Sequence, residues 1–189
     1  MSEILEQIKS LELDIQDKKQ ELAHLRKKLE PSLLPDYRFK DKAGKEHSLA
    51  ELFGDKDEML VVYNMGESCA YCTLWADNYN GIAKPLKDRA AFIVVSPDAP
   101  EKMKAFAESR DWNFDIYSHK ESPFAKDMKM ITEKGMFWPG VSSLSKTAEG
   151  IFVHHTTSFG PGDNFCNMWD FIDMLPAGVN GWKPKYKYD

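Results

Sequence analysis

The sequence predicts an α/β fold in which a mixed β-sheet carries helices on both faces and a long helix precedes the sheet. Three observations lead to this prediction. Short apolar segments alternate with segments of helical spacing, which is typical of parallel strands joined by helices. A Cys-x-x-Cys motif lies where one apolar segment meets a helical one. Residues 2–30 contain neither proline nor glycine and repeat apolar residues at helical spacing.

The N-terminal segment, residues 1–30, is predicted to be an amphipathic helix, and residues 31–189 the folded domain. Apolar residues of this helix recur on steps of three and four, interrupted only at Lys18: Ile4, Ile8, Leu11, Ile15, Leu22, Leu25 and Leu29. With Ile8 at heptad position a, Asp14 and Lys19 bring opposite charges to flanking positions of a parallel coiled coil. The stripe either packs on the chain's own body or joins two copies into a homodimer, and both alternatives stay open.

The other elements follow from apolar runs and turn residues. A linker at residues 31–36 precedes a small hairpin that turns at residues 41–44. Further strands are predicted at residues 59–63, 91–96, 114–117, 140–145 and 150–157. Helices are predicted at residues 49–53, 72–88, 100–110, 123–134 and 163–175. Ser48 is placed to cap the first of these helices, and Pro123 stands at the first position of the fourth.

Composition argues against several classes of protein. A hydrophobic share of 42% suffices for a core, and a net charge of -5 does not indicate a nucleic-acid partner. No apolar segment is long enough to span a bilayer, and the charged N-terminus lacks the apolar core of a signal peptide. Three cysteines do not suit a secreted disulfide scaffold. We therefore expect a cytoplasmic protein with no membrane or nucleic-acid partner.

The Cys-x-x-Cys motif, Cys69 to Cys72, is the strongest chemical signal in the chain. A thiol at a helix N-terminus faces unpaired backbone N–H groups and the positive end of the helix dipole, which stabilise the thiolate. Cys72 follows one turn later on the same face, near enough to form a disulfide. We predict that Cys69 attacks and Cys72 resolves in thiol–disulfide exchange. No Lys or Arg lies in the loop, so we expect only a modest fall of the Cys69 pKa.

Four residues near the motif in sequence or in predicted topology are expected to contact the substrate: Tyr71, Trp75, Trp138 and Pro139. Tyr71 stands between the cysteines, and Trp75 follows on the same helix as core or pocket wall. Trp138 and Pro139 precede a strand in the part of the chain that packs against the dithiol. Pro139 is either in an ordinary turn or in a cis peptide bond, a proline speciality in folded proteins.

A zinc site is the alternative use of the cysteine pair, with Cys166, His154 and His155 as further ligands. Neighbouring side chains on a strand point to opposite faces, so His154 and His155 are not expected to join one site. Cys166 lies on an apolar helix face and is expected to be a small buried side chain. We therefore predict no metal and no cofactor.

Several stretches resemble the DUF899 family, a thioredoxin-like bacterial family of uncharacterised function. They are Ser48-Leu-Ala-Glu-Leu-Phe-Gly54, Leu60-Val-Val-Tyr63, the block from Cys69 to Gly81, Pro139-Gly-Val-Ser142, Val153-His-His155 and the region from Asp170 to Gly178. The resemblance implies a thioredoxin-like fold, open to peroxiredoxin-like additions, and little about the substrate. One departure from thioredoxin stands out: Tyr63 takes the place of a buried Asp that assists the resolving cysteine.

Three functions remain in view. The leading one is a thiol–disulfide oxidoreductase that acts on a protein or small-molecule disulfide. A second is a non-catalytic, dimeric binding module with the same fold, which the replacement at Tyr63 favours. A third is a peroxidatic enzyme in which Cys69 is oxidised to a sulfenic acid and Cys72 resolves it.

Overall fold

Eight strands form one mixed sheet in the computed structural model, which describes residues 2–188. They are β1 (Ser32–Leu34), β2 (Arg38–Lys40), β3 (Glu46–Ser48), β4 (Glu58–Tyr63), β5 (Ala91–Ser96), β6 (Asp115–Ser118), β7 (Gly140–Thr147) and β8 (Gly150–Ser158). The order across the sheet is β1-β8-β7-β4-β5-β6-β2-β3. Strands β4, β5 and β6 are parallel, and the other pairs are antiparallel.

Helices cover both faces of this sheet, as predicted. They are α1 (Glu3–Arg26), α2 (Leu49–Leu52), α3 (Ala70–Arg89), α4 (Pro100–Ser109), α5 (Phe124–Asp127) and α6 (Met168–Asp173). One core contains Leu49 of α2 and Phe124 of α5, and the other contains Trp75 of α3, Met103 of α4 and Trp169 of α6. Within residues 2–188, no helix combines the length and hydropathy needed to cross a membrane.

The N-terminal helix forms as predicted but ends at Arg26, earlier than residue 30. Ser2 caps it by accepting a hydrogen bond from the Leu5 N–H group. None of its described residues is buried, and Ile4 and Leu11 are 67% and 60% exposed. The rest of the described chain therefore does not cover the apolar stripe.

The predicted linker at residues 31–36 contains a strand that the sequence analysis missed. Ser32 pairs with Val153 and Leu34 with Ile151, so β1 adds an antiparallel edge strand to β8. A three-residue strand between two prolines has too short a pattern to be recognised. The segment becomes a strand because the edge of β8 offers unpaired backbone groups, with which residues 32–34 form hydrogen bonds.

The helix predicted at residues 123–134 is wrong in length, since α5 has only four residues. Lys129 takes a φ of 57°, and the N–H of Met130 closes the helix end on the carbonyl of Ala125 at 2.8 Å. The chain then turns back, so that Ile131 forms a bridge with Phe137. The 131–137 loop therefore replaces the end of the predicted helix, and it is the segment that reaches the candidate site.

The helix predicted at residues 163–175 is also shorter, because it begins only at Met168. Asp163 organises the preceding loop, since its carboxylate accepts hydrogen bonds from the N–H groups of Gly160 and Phe165. It also accepts one from the indole of Trp75. A long-range partner on α3 thus holds this segment in a loop that helical periodicity does not predict.

The two cysteines lie at the carboxyl end of the central strand β4. The N–H of Asn64, one residue after β4, donates to the carbonyl of Val95 on β5 at 2.9 Å. Four more residues, 65–68, lead to Cys69, which stands at the N-cap of α3. This edge of an open α/β sheet is where ligand sites usually form.

Candidate functional site

The loop between β4 and α3 is held on both sides by hydrogen bonds. The side chain of Asn64 is buried; it accepts from the N–H of Gly66 at 2.7 Å and donates to the carbonyl of Cys72 at 3.4 Å. Asp98 accepts from the N–H of Glu67 at 2.8 Å. Gly66 has a φ of 93°, and a Cβ atom there would lie only 2.7 Å from Oδ2 of Asp98. These contacts fix the direction in which the chain enters α3.

Cys69 and Cys72 are adjacent thiols at the first turn of α3, as the spacing predicts. The N–H of Cys72 donates to Sγ of Cys69 at 3.1 Å. Cys69 is partly exposed, whereas Cys72 is only 4% exposed. The hydroxyl of Thr73 donates to the carbonyl of Cys69 at 3.0 Å and so ties the cap residue to the helix. One thiol is accessible and the other is sheltered.

The environment of Cys69 favours its thiolate and lowers its pKa to about 6. The largest cause is a hydrogen bond from the thiol of Cys72, followed by the N–H groups of Cys72 and Tyr71, while burial opposes the shift. The pKa of Cys69 therefore falls further than the modest shift that the sequence predicts. The helix end by itself predicts a modest shift, and the second thiol enlarges the shift by donating a hydrogen bond.

Acidic residues near the motif in sequence are occupied elsewhere. Glu67 lies 2.9 Å from Nζ of Lys102. Asp77 forms an ion pair with Arg110 and accepts a hydrogen bond from the indole of Trp112. Neither carboxylate is among the groups that shift the pKa of Cys69.

The same contacts have the opposite effect on Cys72, whose pKa is raised well above its ordinary value. Its thiol donates to Cys69, and it is buried beside the negative charge of that thiolate. Cys72 therefore holds its proton while Cys69 loses one. The pair thus separates into a nucleophilic thiolate and a proton-bearing neighbour.

An apolar cleft of about 350 Å³, here called the thiol cleft, opens beside the two sulfur atoms. The four residues expected to contact substrate all line it together with Cys69 and Cys72: Tyr71, Trp75, Trp138 and Pro139. Trp75 is 4% exposed and forms a wall, whereas Tyr71 and Trp138 are 37% and 49% exposed and stand at the rim. The fold therefore gathers all six predicted side chains around one opening.

Other lining residues were missed by the sequence analysis. They are Met65, Thr132, Met136, Phe137, Phe159, Gly160 and Pro161. Most come from the 131–137 loop and from the segment after β8, which the sequence analysis placed in or near helices. The one signal in the sequence was the apolar run from Met136 to Trp138, directly before the predicted site residue Pro139.

Pro139 joins the 131–137 loop to β7 in the trans form. No peptide bond within residues 2–188 is cis, so the cis alternative for this proline is wrong. The carbonyl of Pro139 accepts from the N–H of Phe159 at 2.8 Å. This bond extends the β7–β8 pairing and keeps Phe159 beside Trp75, with ring centroids 6.4 Å apart.

Tyr63 lies at the end of β4, where its side chain belongs to the core on the α2 and α5 face. Its ring stacks on Phe124, and its hydroxyl hydrogen-bonds to Ser142 at 2.9 Å. Tyr63 is thus engaged away from the dithiol. Cys166 is 1% exposed in the opposite core, which confirms the expected small buried side chain.

His154 and His155 lie on the same face of the sheet, so the prediction of opposite faces is wrong. A β-bulge between Ser143 and Leu144 leaves His154 without a partner, and His155 pairs with Ser143. His154 hydrogen-bonds to Ser145, two residues from Ser143 and therefore on its face. Even so, no group of three or more His, Cys, Asp or Glu side chains in residues 2–188 is placed to hold a metal.

Comparison of the sequence with known proteins identifies one family. The sequence model of a family described as "Bacterial protein of unknown function (DUF899)" matches residues 4–188. No curated protein matches the sequence significantly.

Solved structures of peroxiredoxins have a similar fold. The peroxidoxin BcpB of Mycobacterium tuberculosis is 16% identical, with a TM-score of 0.55 over 69% of this chain and 85% of that chain. The peroxiredoxin Q of Xanthomonas campestris is 15% identical, with a TM-score of 0.57 over 71% and 85%. A PrxQ mutant of Xylella fastidiosa is 10% identical, with a TM-score of 0.61 over 73% and 90%. At such identities the likeness shows the fold alone, and it confirms the predicted thioredoxin-like fold.

Proposed function

The chain belongs to the DUF899 family of bacterial proteins, whose function is unknown, and we propose that it is a thiol–disulfide oxidoreductase that uses Cys69 and Cys72. The observation that carries this proposal is the unequal pair of thiols. Cys69 is partly exposed with a pKa of about 6, whereas Cys72 is buried and keeps its proton. Such a pair supplies both a nucleophile at neutral pH and a resolving thiol.

The reaction transfers two electrons to a disulfide substrate. The Cys69 thiolate attacks one substrate sulfur, a mixed disulfide forms, and the other substrate sulfur leaves as a thiolate. Cys72 then loses its proton and attacks Sγ of Cys69, which releases the second substrate thiolate and forms the Cys69–Cys72 disulfide. A thiol or dithiol reductant returns the pair to the reduced state.

The proton of Cys72 needs an acceptor, because Tyr63 is turned away from the pair and offers no carboxylate. Once Cys69 has attacked, its negative charge has moved to the departing substrate thiolate. That thiolate has an ordinary pKa of about 8.5 and forms beside Cys72 in an apolar cleft, where it can take up the proton. Proton transfer from Cys72 to the departing sulfur therefore completes the step without a buried carboxylate as proton acceptor.

The thiol cleft favours disulfides with an apolar flank. Tyr71, Trp138 and Met136 are all at least 37% exposed around its opening, and Trp75 and Pro139 line it. Burying apolar surface here contributes to binding without a need for charge. We propose that Tyr71, Trp75, Trp138 and Pro139 bind the substrate, which is a peptide or small-molecule disulfide.

Two substitutions test this function in the full-length chain. Cys69→Ser is expected to abolish the reduction of a model aryl disulfide, because the serine hydroxyl does not ionise at neutral pH. Cys72→Ser keeps the attacking thiol and is expected to accumulate a mixed disulfide that mass spectrometry detects. Cys166→Ala serves as the matched control, since this third cysteine lies in the core. The variant should retain full activity if Cys69 and Cys72 act alone.

Two results would contradict the proposal. If Cys69→Ser reduces the disulfide as fast as the parent chain, the sulfur of Cys69 is not the nucleophile. If the parent chain itself shows no exchange with disulfides of different size and polarity, the fold is a binding module without catalysis.

A peroxidatic reaction is the second candidate, and the peroxiredoxin fold of the solved structures favours it. The Cys69 thiolate would attack the terminal peroxide oxygen, break the O–O bond and release an alcohol once the alkoxide takes up a proton. Cys72 would then attack the sulfenic acid, releasing water and forming the disulfide. The described part of the chain places no lysine or arginine on the cleft wall to stabilise the departing oxygen, which ranks this reaction second. Consumption of an alkyl peroxide with dithiothreitol as reductant measures it.

We also propose that α1 joins two copies of the chain, which divides the protein into an assembling helix, residues 1–30, and a redox domain, residues 31–189. The exposed stripe on α1 and the opposite charges of Asp14 and Lys19 support a parallel coiled coil. A chain with three cysteines does not suit a secreted disulfide scaffold, and on that ground we place the activity in the cytoplasm.

A further inference from the structure

A second cavity, of about 470 Å³, lies between the last turn of α1 and the sheet at β4, β7 and β8. It shares no lining residue with the thiol cleft. Its polar wall includes Arg26 and Lys27 from the end of α1 and His155 from the bulged part of β8. Its volume falls within the range of small-molecule sites.

Two nitrogen atoms on this wall are buried without a hydrogen-bond partner. They are Nε of Arg26 and Nε2 of His155. Buried polar atoms in folded proteins are nearly always paired. The Nε–H group of Arg26 therefore lacks an acceptor, and so does Nε2 of His155 in the tautomer that carries its hydrogen there. Both side chains line the same cavity, which makes one shared acceptor the simplest partner.

The charges around the cavity favour an anion. Arg26 and Lys27 form no ion pair with a carboxylate among residues 2–188, whereas Arg89 is paired with Glu58. His154 is occupied by Ser145, at 2.7 Å. Burial and the positive charge of Arg26 lower the pKa of His155, which favours its neutral ring. The unpaired positive charge on the wall therefore belongs to Arg26 and Lys27.

The rest of the wall is apolar. Leu60 of β4, Val141 of β7 and Phe165 from the loop before α6 form much of it. An inorganic ion would leave these side chains facing water. A ligand with an anionic end and a short hydrocarbon chain satisfies both parts of the wall.

We propose that this cavity binds a small organic carboxylate, whose oxygens accept from Nε–H of Arg26 and Nε2–H of His155 while its hydrocarbon chain lies against Leu60, Val141 and Phe165. A guanidinium group suits a planar carboxylate because its N–H groups match the two oxygens. The site is separate from the thiol cleft, so it does not depend on the redox reaction proposed above.

Calorimetric titration of the full-length protein with sodium octanoate tests the site, with octan-1-ol and inorganic phosphate as comparison probes. We expect saturable one-to-one binding of octanoate. Arg26→Gln and His155→Gln should each weaken it about tenfold or more, as expected for a lost charge-assisted hydrogen bond. Lys28→Gln is the matched control, because Lys28 stands beside the lining residue Lys27 but does not line the cavity.

A second readout is the pKa of His155, measured by NMR of its ring. This pKa should rise when octanoate is bound. Trp138→Asp should leave octanoate binding unchanged, since Trp138 belongs to the thiol cleft. The proposal fails if octanoate does not saturate, if Arg26→Gln binds it as tightly as the parent chain, or if octan-1-ol binds equally well. Tighter binding of phosphate than of octanoate would likewise overturn it.

Discussion

The amide nitrogen of Cys72 lies 3.1 Å from Sγ of Cys69, and the two thiols shift each other's acidity in opposite directions. The N–H group and the S–H group of Cys72 both stabilise the Cys69 thiolate. That thiolate in turn holds the proton on Cys72. A single turn of helix thus produces one reactive and one protected sulfur.

The first prediction concerns the pH dependence of Cys69. Only the thiolate reacts with iodoacetamide, so the alkylation rate should rise with pH through a midpoint near the pKa of about 6. Cys72→Ala removes the donor thiol, and the midpoint should then move upward by at least one pH unit, toward the ordinary value near ~8.5. Rates measured by mass spectrometry from pH 4 to pH 10 check this.

Cys166→Ala controls for loss of a cysteine and should keep the parent midpoint. A parent chain with a midpoint near that of a free thiol would show that the contacts to Cys69 do not stabilise its thiolate.

The second prediction concerns Gly66, whose φ of 93° and short approach to Asp98 leave no room for a side chain. Gly66→Ala should lower the free energy of unfolding by roughly 1–3 kcal/mol more than Gly44→Ala does. Gly44 has a similar φ of 80°, but a Cβ atom added there would have no other atom within 4 Å. Urea denaturation of the two variants separates backbone strain, which both share, from the clash with Asp98.

Equal losses in the two variants would mean that Asp98 moves aside at no cost. Gly66→Ala should also slow alkylation of Cys69, because the loop that carries this cysteine is displaced.

The third prediction concerns Trp138, which stands half-exposed at the rim of the thiol cleft. Trp138→Ala should raise KM for an aryl disulfide roughly two- to tenfold, because an aromatic contact contributes on the order of 0.5–1.5 kcal/mol. The midpoint of Cys69 alkylation should stay unchanged, since Trp138 makes none of the hydrogen bonds to the thiolate. Steady-state kinetics with an aryl disulfide and with glutathione disulfide measure the difference.

Leu175→Ala, at a residue that is 57% exposed and lies outside the thiol cleft, is the control and should change neither constant. A fall in kcat with an unchanged KM would place Trp138 in the chemical step instead of in binding.

The fourth prediction concerns assembly through α1. Leu11 and Ile15 occupy the apolar stripe at heptad positions d and a, whereas Leu13 lies on the opposite side of the helix. The double substitution Leu11→Asp and Ile15→Asp should convert a dimer into a monomer in sedimentation experiments. Leu13→Asp should leave the dimer intact, although Leu13 is 63% exposed and equally apolar.

A parent chain that sediments as a monomer would refute the coiled coil. A coil of this length is marginal by itself, so the dimer should also weaken on dilution.

The fold was largely predictable because each central element has a strong local signal. The apolar runs that became β4 and β5, the closing hairpin of β7 and β8, and the N-cap position of Cys69 all follow from neighbouring residues. The segment after Pro123 was mispredicted because its local helical pattern is overridden. Lys129 adopts a left-handed φ, and the chain folds back so that Phe137 can pair with Ile131.

The sequence by itself determined the fold class, the family resemblance and the two sulfur atoms at a helix start, since all of these depend on residues that are close together in the chain. Only the tertiary structure decided that Trp138 and Pro139 meet Cys69 across one cleft, and that a bulge turns His154 and His155 to the same face. Such contacts join residues far apart in sequence or depend on strand register. They are set by how whole elements pack, which no local pattern records.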